Sequence, residues 1–235
     1  MKDKHKHGIG TFQEKSLHAA LKEWYTRPGD VMEAPVDGFV IDIVRGELLI
    51  EIQTRNFGAI KHKLTTLTER HPVRLVHPIA QEKWIVRVDA DGHTLLGRRK
   101  SPKRGRLVHL FDELVRFPQL IANPNFSLEI LLTQEDEVRR NDGQGSWRRK
   151  GWSIYDHRLI DVVQSTLLAS PSDFRACLPP ALDPPFTNRD LAAALDLPCR
   201  LAQKMTYCLR KMGVLSVAGK RRHALLYEQR EEYVV

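Results

Sequence analysis

Two acidic residues lie inside short apolar stretches of the N-terminal half of the chain. Asp42 falls in residues 40–43 (VIDI) and Glu51 falls in residues 50–53 (IEIQ). An ionised carboxylate inside an apolar strand is costly unless its charge is compensated, and two carboxylates on adjacent strands also repel each other. A divalent cation removes both penalties, and carboxylate oxygens suit Mg²⁺ or Mn²⁺. The pair therefore predicts a metal site, with pairing to arginines in a structural network as the alternative.

The segments around these carboxylates predict an α/β architecture. The predicted elements are strands at 38–44, 48–53 and 73–79 and helices at 11–25 and 57–70. The first two strands are apolar apart from their single carboxylates, and the turn at 45–47 joins them into a hairpin at the centre of a sheet. The order helix, strand, strand, helix, strand indicates helices layered on a sheet.

The middle of the chain predicts further elements that cannot be placed on this sheet from sequence. A hairpin is predicted at 84–88 and 94–96, a helix at 107–117 and a strand at 127–132.

The helix that contains Glu14, followed by Ile41-Asp42-Ile43 and Ile50-Glu51-Ile52-Gln53, resembles the PD-(D/E)XK nuclease superfamily. The resemblance covers about residues 10–80 and implies a restriction-endonuclease-like mixed sheet flanked by helices. It implies that Asp42, Glu51 and the backbone carbonyl of Ile52 bind Mg²⁺ or Mn²⁺. It also implies that Glu14 corresponds to a helix glutamate found in some branches, with helix capping as the alternative role.

The chain departs from the superfamily pattern at Gln53, which stands where a lysine is usual. An amide can orient water but carries no charge to stabilise an anion. Lys61 or Lys63 on the following helix is expected to supply that charge, and Lys61 is assigned to the catalytic set. The implied reaction is metal-assisted hydrolysis of a phosphodiester bond.

The charge balance favours a polyanionic partner. Lys and Arg number 37 against 29 Asp and Glu, for a formal net charge of +8, and phosphate neutralisation supplies most non-specific affinity for nucleic acid. Basic clusters lie at 98–106 and, between two tryptophans, at 147–152. Arg148, Arg149 and Lys150 are predicted to contact DNA, with a linker or a solvated loop as the alternative.

The C-terminal third resembles a winged helix-turn-helix over about residues 155–228. A helix start at 187–190, a break at Leu197-Pro198, a helix at 198–212 and strands at 214–217 and 224–227 carry the resemblance. Such domains place their second helix in the major groove of DNA and their wing along the DNA backbone. The groove residues so implied are Arg200, Gln203, Lys204 and Tyr207, and the wing residues are Lys220, Arg221 and Arg222. Protein interaction or dimerisation is the alternative.

Together these observations predict two domains, a nuclease domain at 1–150 with a β-rich extension beyond its core and a winged-helix α+β domain at 151–235. The predicted function is a Mg²⁺-dependent endonuclease acting on double-stranded DNA. A non-catalytic DNA-binding protein and a transcription regulator remain alternatives, and a homodimer or a partner protein remains open.

The remaining composition indicates a cytoplasmic protein. Cys177, Cys199 and Cys208 show no metal-ligand spacing, which favours a reduced compartment. No run of about 18 apolar residues exists, so no membrane span is expected, and the polar N-terminus does not resemble a secretory signal.

Overall fold

Apolar, β-branched segments build a large mixed sheet that is flanked by helices. The computed structural model describes residues 11–92 and 94–230. Its seven-stranded sheet consists of β1 (Val31–Val36), β2 (Phe39–Arg45), β3 (Leu48–Ile52), β4 (Val73–Val88), β5 (Leu95–Lys100), β6 (Phe126–Arg140) and β7 (Ser153–Leu168). The strand order is β1-β2-β3-β4-β6-β7, and β5 pairs with β4. The predicted α/β class is confirmed.

The first three strands form an antiparallel meander, and the fourth joins it in parallel. Gly46, at φ 57°, opens the two-residue turn between Arg45 and Leu48, which are paired across β2 and β3. Because β3 and β4 run parallel, the chain needs a crossover, and helix α2 (Phe57–Leu67) makes it. The predicted hairpin is therefore confirmed, with β1 as an additional strand at its outer edge.

Helix α2 is anchored by aromatic packing at its first residue. Phe57 is fully buried; its ring stacks on Phe117 with centroids 5.4 Å apart and meets His77 edge-on at 4.8 Å. The backbone N–H of Phe57 donates to Glu113 Oε2 at 2.9 Å. Glu113 thereby satisfies one of the amide groups that a helix start leaves free.

The predicted helix at 107–117 is divided in the structure. A 3₁₀ turn at Leu107–Leu110 precedes the single helical turn α3 (Phe111–Leu114), and a second 3₁₀ turn follows at Pro118–Ala122. Pro118 begins the second turn because its ring has no N–H and suits a first helical position.

The C-terminal elements are two helices and a hairpin. They are α4 (Asn188–Ala194), α5 (Cys199–Lys211), β8 (Leu215–Arg221) and β9 (Ala224–Gln229). A capping box starts α4, since the Thr187 hydroxyl accepts from the Asp190 N–H while the Asp190 carboxylate accepts from the Thr187 N–H. Helix α5 buries Leu201, Met205 and Leu209 and packs against α3, α4 and β8.

The described residues divide into two compact units. One comprises 11–30, 78–106 and 131–165, and the other comprises 31–77, 107–130 and 166–230. Helix α1 (Thr11–Tyr25) belongs to the first unit. Strand β7 is part of the large sheet, although the predicted boundary at residue 150 assigned its residues to the C-terminal domain. No helix within 11–92 and 94–230 has the length and apolarity to span a membrane.

The first unit contains a buried ionic network centred on Glu137, which is 4% exposed. Its carboxylate contacts Lys83 Nζ at 2.8 Å and a terminal nitrogen of Arg139 at 2.5 Å. Burial opposes ionisation, but the hydrogen bonds and charges of Lys83 and Arg139 outweigh it and lower the pKa of Glu137 to about 2.

We expect Glu137→Gln to lower the free energy of unfolding by about 2 kcal/mol at neutral pH, because it removes this charge pairing. The pKa of Glu137 is depressed on folding, so its contribution is present above the ordinary glutamate value of 4.5 and disappears as the pH falls towards about 2. Urea unfolding at pH 7 and near pH 3 measures the loss of stability at neutral pH and its decrease at acidic pH. Glu47→Gln, in the exposed β2–β3 turn, is the matched control; equal losses in both variants would contradict the prediction.

Candidate functional site

Asp42 and Glu51 meet where β2 and β3 part. The ladder pairs Arg45 with Leu48 and Ile43 with Ile50, and continuing it by one residue brings Asp42 opposite Glu51. Past this point β3 continues only beside β4, with Glu51 paired to Leu75. Asp42 lies between the fully buried Ile41 and Ile43, so the alternation of a strand turns its side chain to the opposite face.

The two carboxylates accept hydrogen bonds from backbone groups where the strands part. Asp42 Oδ2 accepts the Ile52 N–H at 2.9 Å, and Glu51 Oε1 accepts the Asp42 N–H at 3.4 Å. Each side chain is thereby held by the backbone of the other strand. The predicted juxtaposition of these two residues is confirmed.

Lys63 completes the cluster. Its ammonium group lies 2.5 Å from Glu51 Oε1 and donates to the Val40 carbonyl oxygen at 2.6 Å. Lys61, which was assigned to the catalytic set, is exposed on α2, and the cation at Glu51 is Lys63.

The environment of Glu51 works against its own ionisation. Its side chain is 7% exposed. Burial raises the pKa of Glu51, the hydrogen bond from Lys63 lowers it, and the charge of Asp42 raises it again, leaving it above its usual value. The ionised carboxylate therefore depends on positive charge beside it.

Gln53 faces the backbone of the β3–α2 loop. Its side-chain amide donates to the Arg55 carbonyl at 2.5 Å and to the Asn56 carbonyl at 3.4 Å. The backbone carbonyl oxygen of Gln53 accepts a hydrogen bond from Nδ1 of His77 at 2.7 Å. Gln53 thus organises the loop that leads into α2. His77 on β4 therefore contacts both Phe57, through its ring, and the backbone of Gln53, through this hydrogen bond.

The remaining predicted ligands are placed as follows. Ile52 is buried beside Glu51 on β3. The Glu14 side chain lies outside the described residues. Across the described parts of the chain there is no cluster of three or more His, Cys, Asp or Glu side chains that could hold a metal ion. Asp42 and Glu51 are thus two carboxylates without a third such side chain beside them in the described residues.

Three of the predicted DNA-contacting residues line one groove in the C-terminal module. The groove, about 980 Å³ in volume, lies among the first turns of α4 and α5 and the turn between β8 and β9. It is lined by Gln203, Arg221 and Arg222, and also by Arg189 and His223, which sequence reasoning did not select.

Some of the predicted cations are engaged within the protein. The Lys204 ammonium lies 2.7 Å from a carboxylate oxygen of Asp112. Arg221 lies 2.7 Å from the Asp190 carboxylate, which also caps α4.

The other predicted contact residues have exposed side chains. Arg200, Lys220, Arg148 and Lys150 are exposed, Arg149 is half-exposed, and the exposed Tyr207 ring lies 6.0 Å from the Lys211 ammonium.

The chain belongs to the family described as Domain of unknown function (DUF8091), which matches residues 15–169. This match contains the carboxylate pair and Lys63 and ends one residue after β7. An uncharacterized protein of Treponema pallidum (strain Nichols) is 29% identical over 223 residues, which cover 94% of this chain and 87% of that protein. No solved structure matches the chain.

We expect Lys63→Ala to lower the free energy of unfolding by about 2 kcal/mol at neutral pH, because it leaves a buried carboxylate beside Asp42 without its cation. The loss should shrink as the pH falls and Glu51 takes up a proton. Lys61→Ala, two residues away on the same helix, should change stability by less than about 0.5 kcal/mol. Thermal or urea unfolding measures both, and a larger effect at Lys61 would show that the assignment of the cation is wrong.

Proposed function

We propose that the chain is a divalent-metal-dependent DNA endonuclease of the PD-(D/E)XK type. The observation that carries the proposal is the meeting of Asp42 and Glu51 where β2 and β3 part, with the Lys63 ammonium 2.5 Å from Glu51. Buried titratable groups with opposed perturbing charges are typical of functional sites. The mixed sheet, with a carboxylate on each of two adjacent strands, agrees with the resemblance in sequence.

The donor set fits Mg²⁺ or Mn²⁺. Asp42 and Glu51 would hold the cation, together with the backbone carbonyl of Ile52. Magnesium is usually bound by only one or two carboxylates, with water and substrate phosphates as its other ligands, so a two-carboxylate site is sufficient. When bound, such a cation polarises the phosphodiester and makes a nearby water more acidic.

Lys63 is the group best placed to act on the substrate's charge. Gln53 cannot do so, because it is neutral and its amide bonds the Arg55 and Asn56 carbonyls. The Lys63 ammonium lies beside the carboxylates and can neutralise the negative charge that grows on a phosphate in the transition state. Asp42 and Glu51 orient each other through the backbone hydrogen bonds between their strands.

Cleavage of supercoiled, linear and branched DNA with Mg²⁺ or Mn²⁺ tests the proposal. We expect Asp42→Asn and Glu51→Gln to reduce cleavage at least about 100-fold, because each removes a charged ligand. Both substitutions keep a side-chain oxygen that can accept from the N–H groups of Asp42 and Ile52. The hydrogen bonds between β2 and β3 at this point are therefore preserved. Lys63→Met should reduce the rate by about 100-fold while leaving DNA binding largely intact.

Glu129→Gln is the matched control, since Glu129 is also a buried carboxylate with a basic partner, Arg74, at 3.3 Å. It should cleave at the wild-type rate. Metal-dependent cleavage that survives in Asp42→Asn and Glu51→Gln would contradict the site assignment, and no cleavage under any condition would contradict the activity.

A non-catalytic DNA-binding protein is the second candidate, and one observation favours it. Lys63 already neutralises Glu51, and backbone N–H groups bond both carboxylates. The pair is therefore satisfied without a metal. Addition of Mn²⁺ separates the two functions: a rise in melting temperature that is absent in Asp42→Asn favours the nuclease, and no rise favours the binding protein.

We infer that the C-terminal helices and hairpin form a winged helix that binds duplex DNA. The helix α5 follows a short turn after α4, and a basic hairpin follows α5. Gln203 from α5 and Arg222 from the hairpin turn line the same groove. This arrangement would allow α5 to enter the major groove of DNA while the hairpin contacts the DNA backbone.

We expect Arg200→Ala and Gln203→Ala to weaken binding to duplex DNA by about 10-fold each, as for residues that read base edges. Lys204→Ala should weaken it by less than about threefold, because the Lys204 ammonium is paired with Asp112. Fluorescence anisotropy at fixed ionic strength measures the affinities. A larger loss for Lys204 than for Arg200 would overturn this orientation of α5.

A further inference from the structure

The loop between β6 and β7 presents one tryptophan to solvent. Trp147 is 83% exposed, more than any other large hydrophobic side chain in the described ranges. Tryptophan is highly buried on average, and tryptophan rings are enriched at interfaces because they offer a large aromatic face. Trp147 therefore presents such a face to solvent.

The loop has a defined internal structure. The Asp142 carboxylate accepts hydrogen bonds from Arg140 at 3.1 Å, from the Ser153 hydroxyl at 2.7 Å and from the Gln144 N–H at 3.0 Å. The three groups tie both ends of the loop to one side chain. Trp147 itself starts a 3₁₀ turn, Trp147–Arg149.

The loop closes on itself through a contact that requires glycine. The Gly145 N–H donates to the Gly151 carbonyl at 2.9 Å. A Cβ on Gly145 would lie 2.0 Å from the Trp152 carbonyl oxygen, so no other residue fits at this position. Trp147 therefore lies in a loop that is closed by a backbone hydrogen bond between residues on either side of it.

Basic side chains lie near both tryptophans of the loop, Trp147 and Trp152. Arg148, Arg149 and Lys150 follow Trp147 directly. The Arg148 guanidinium lies 5.6 Å from the Trp147 ring centroid, and the Arg87 guanidinium lies 5.1 Å from that of Trp152. Aromatic rings interleaved with arginines suit base stacking combined with phosphate contact.

We propose that Trp147 stacks on an unpaired DNA base while Arg148, Arg149 and Lys150 hold the flanking phosphates. Inside a duplex both faces of every base are covered by neighbouring bases, so an exposed ring gains a stacking partner only at single-stranded segments, ends or branches. The inference rests on the proposed action on DNA and narrows its substrate to DNA that contains unpaired bases.

Binding by the full chain in the presence of a chelator tests this inference without cleavage. The probe is a labelled single-stranded DNA of about 15 nucleotides, compared with a relaxed, covalently closed circular duplex, which has neither ends nor unpaired bases. We expect the single strand to quench tryptophan fluorescence. Trp147→Ala should weaken single-strand binding about 10-fold and abolish most of the quenching, while duplex binding changes by less than about twofold.

Two further variants keep the result interpretable. Trp147→Phe retains an aromatic face and should bind the single strand within about threefold of the wild type. Trp24→Ala, which removes another exposed tryptophan (49% exposed) from α1, should bind and be quenched as the wild type does. Matching melting temperatures of Trp147→Ala and wild type exclude misfolding.

The inference is overturned if Trp147→Ala binds the single strand as tightly as wild type, or if inorganic polyphosphate quenches the fluorescence equally. Its failure is separate from failure of the nuclease proposal, because neither Asp42 nor Glu51 enters this measurement. Trp147-dependent binding without any cleavage would refute the nuclease alone. Cleavage with unchanged binding by Trp147→Ala would refute the stacking alone.

Discussion

The ladder between β2 and β3 ends before β3 does, and the arrangement of the candidate site depends on that early end. Strand β3 pairs with β4 from Leu49 to Ile52 but with β2 only from Leu48 to Ile50. At the point of separation, backbone N–H groups of Asp42 and Ile52 need acceptors, because unpaired buried amides are costly. The carboxylates of Glu51 and Asp42 are those acceptors. The same two side chains therefore complete the sheet and form the acidic site.

This double use explains how two acidic groups persist in an apolar environment. Burial raises the pKa of Glu51, and Lys63 opposes that effect. Removing one partner of a buried ion pair costs about 3–5 kcal/mol, whereas an intact buried ion pair contributes little to the net free energy of unfolding. Replacing either carboxylate with an apolar residue would thus disturb the strand junction as well as any chemistry, which is why isosteric amides are the informative variants.

Much of the site's framework was predictable from sequence, because it depends on local patterns. Apolar runs around single carboxylates identified β2 and β3, and helical spacing identified α2. The choice between Lys61 and Lys63 was not predictable. The two residues flank the buried stripe of Phe57, Leu64 and Leu67 on opposite sides, and only the tertiary structure decides which side meets Glu51.

Other elements escaped prediction because their cause is not local. Strand β7 is mostly half-buried or exposed, so its apolar pattern is weak, and its pairing with β6 defines it. Strand β4 runs beyond the predicted 73–79 segment. Pro78, which cannot donate to a sheet ladder, lies between the part of β4 that pairs with β3 and the part that pairs with β5.

In the proposed complex with DNA, the ion pair between Arg221 and Asp190 would change the ionic-strength dependence of binding. A phosphate that approaches Arg221 replaces a carboxylate that is already there, so fewer small ions are exchanged than at a solvated arginine. Salt dependence counts the counterions released on binding. Arg221 would therefore contribute less to that dependence than its charge implies, while the Asp190 carboxylate would keep its hydrogen bond from the Thr187 N–H at the start of α4.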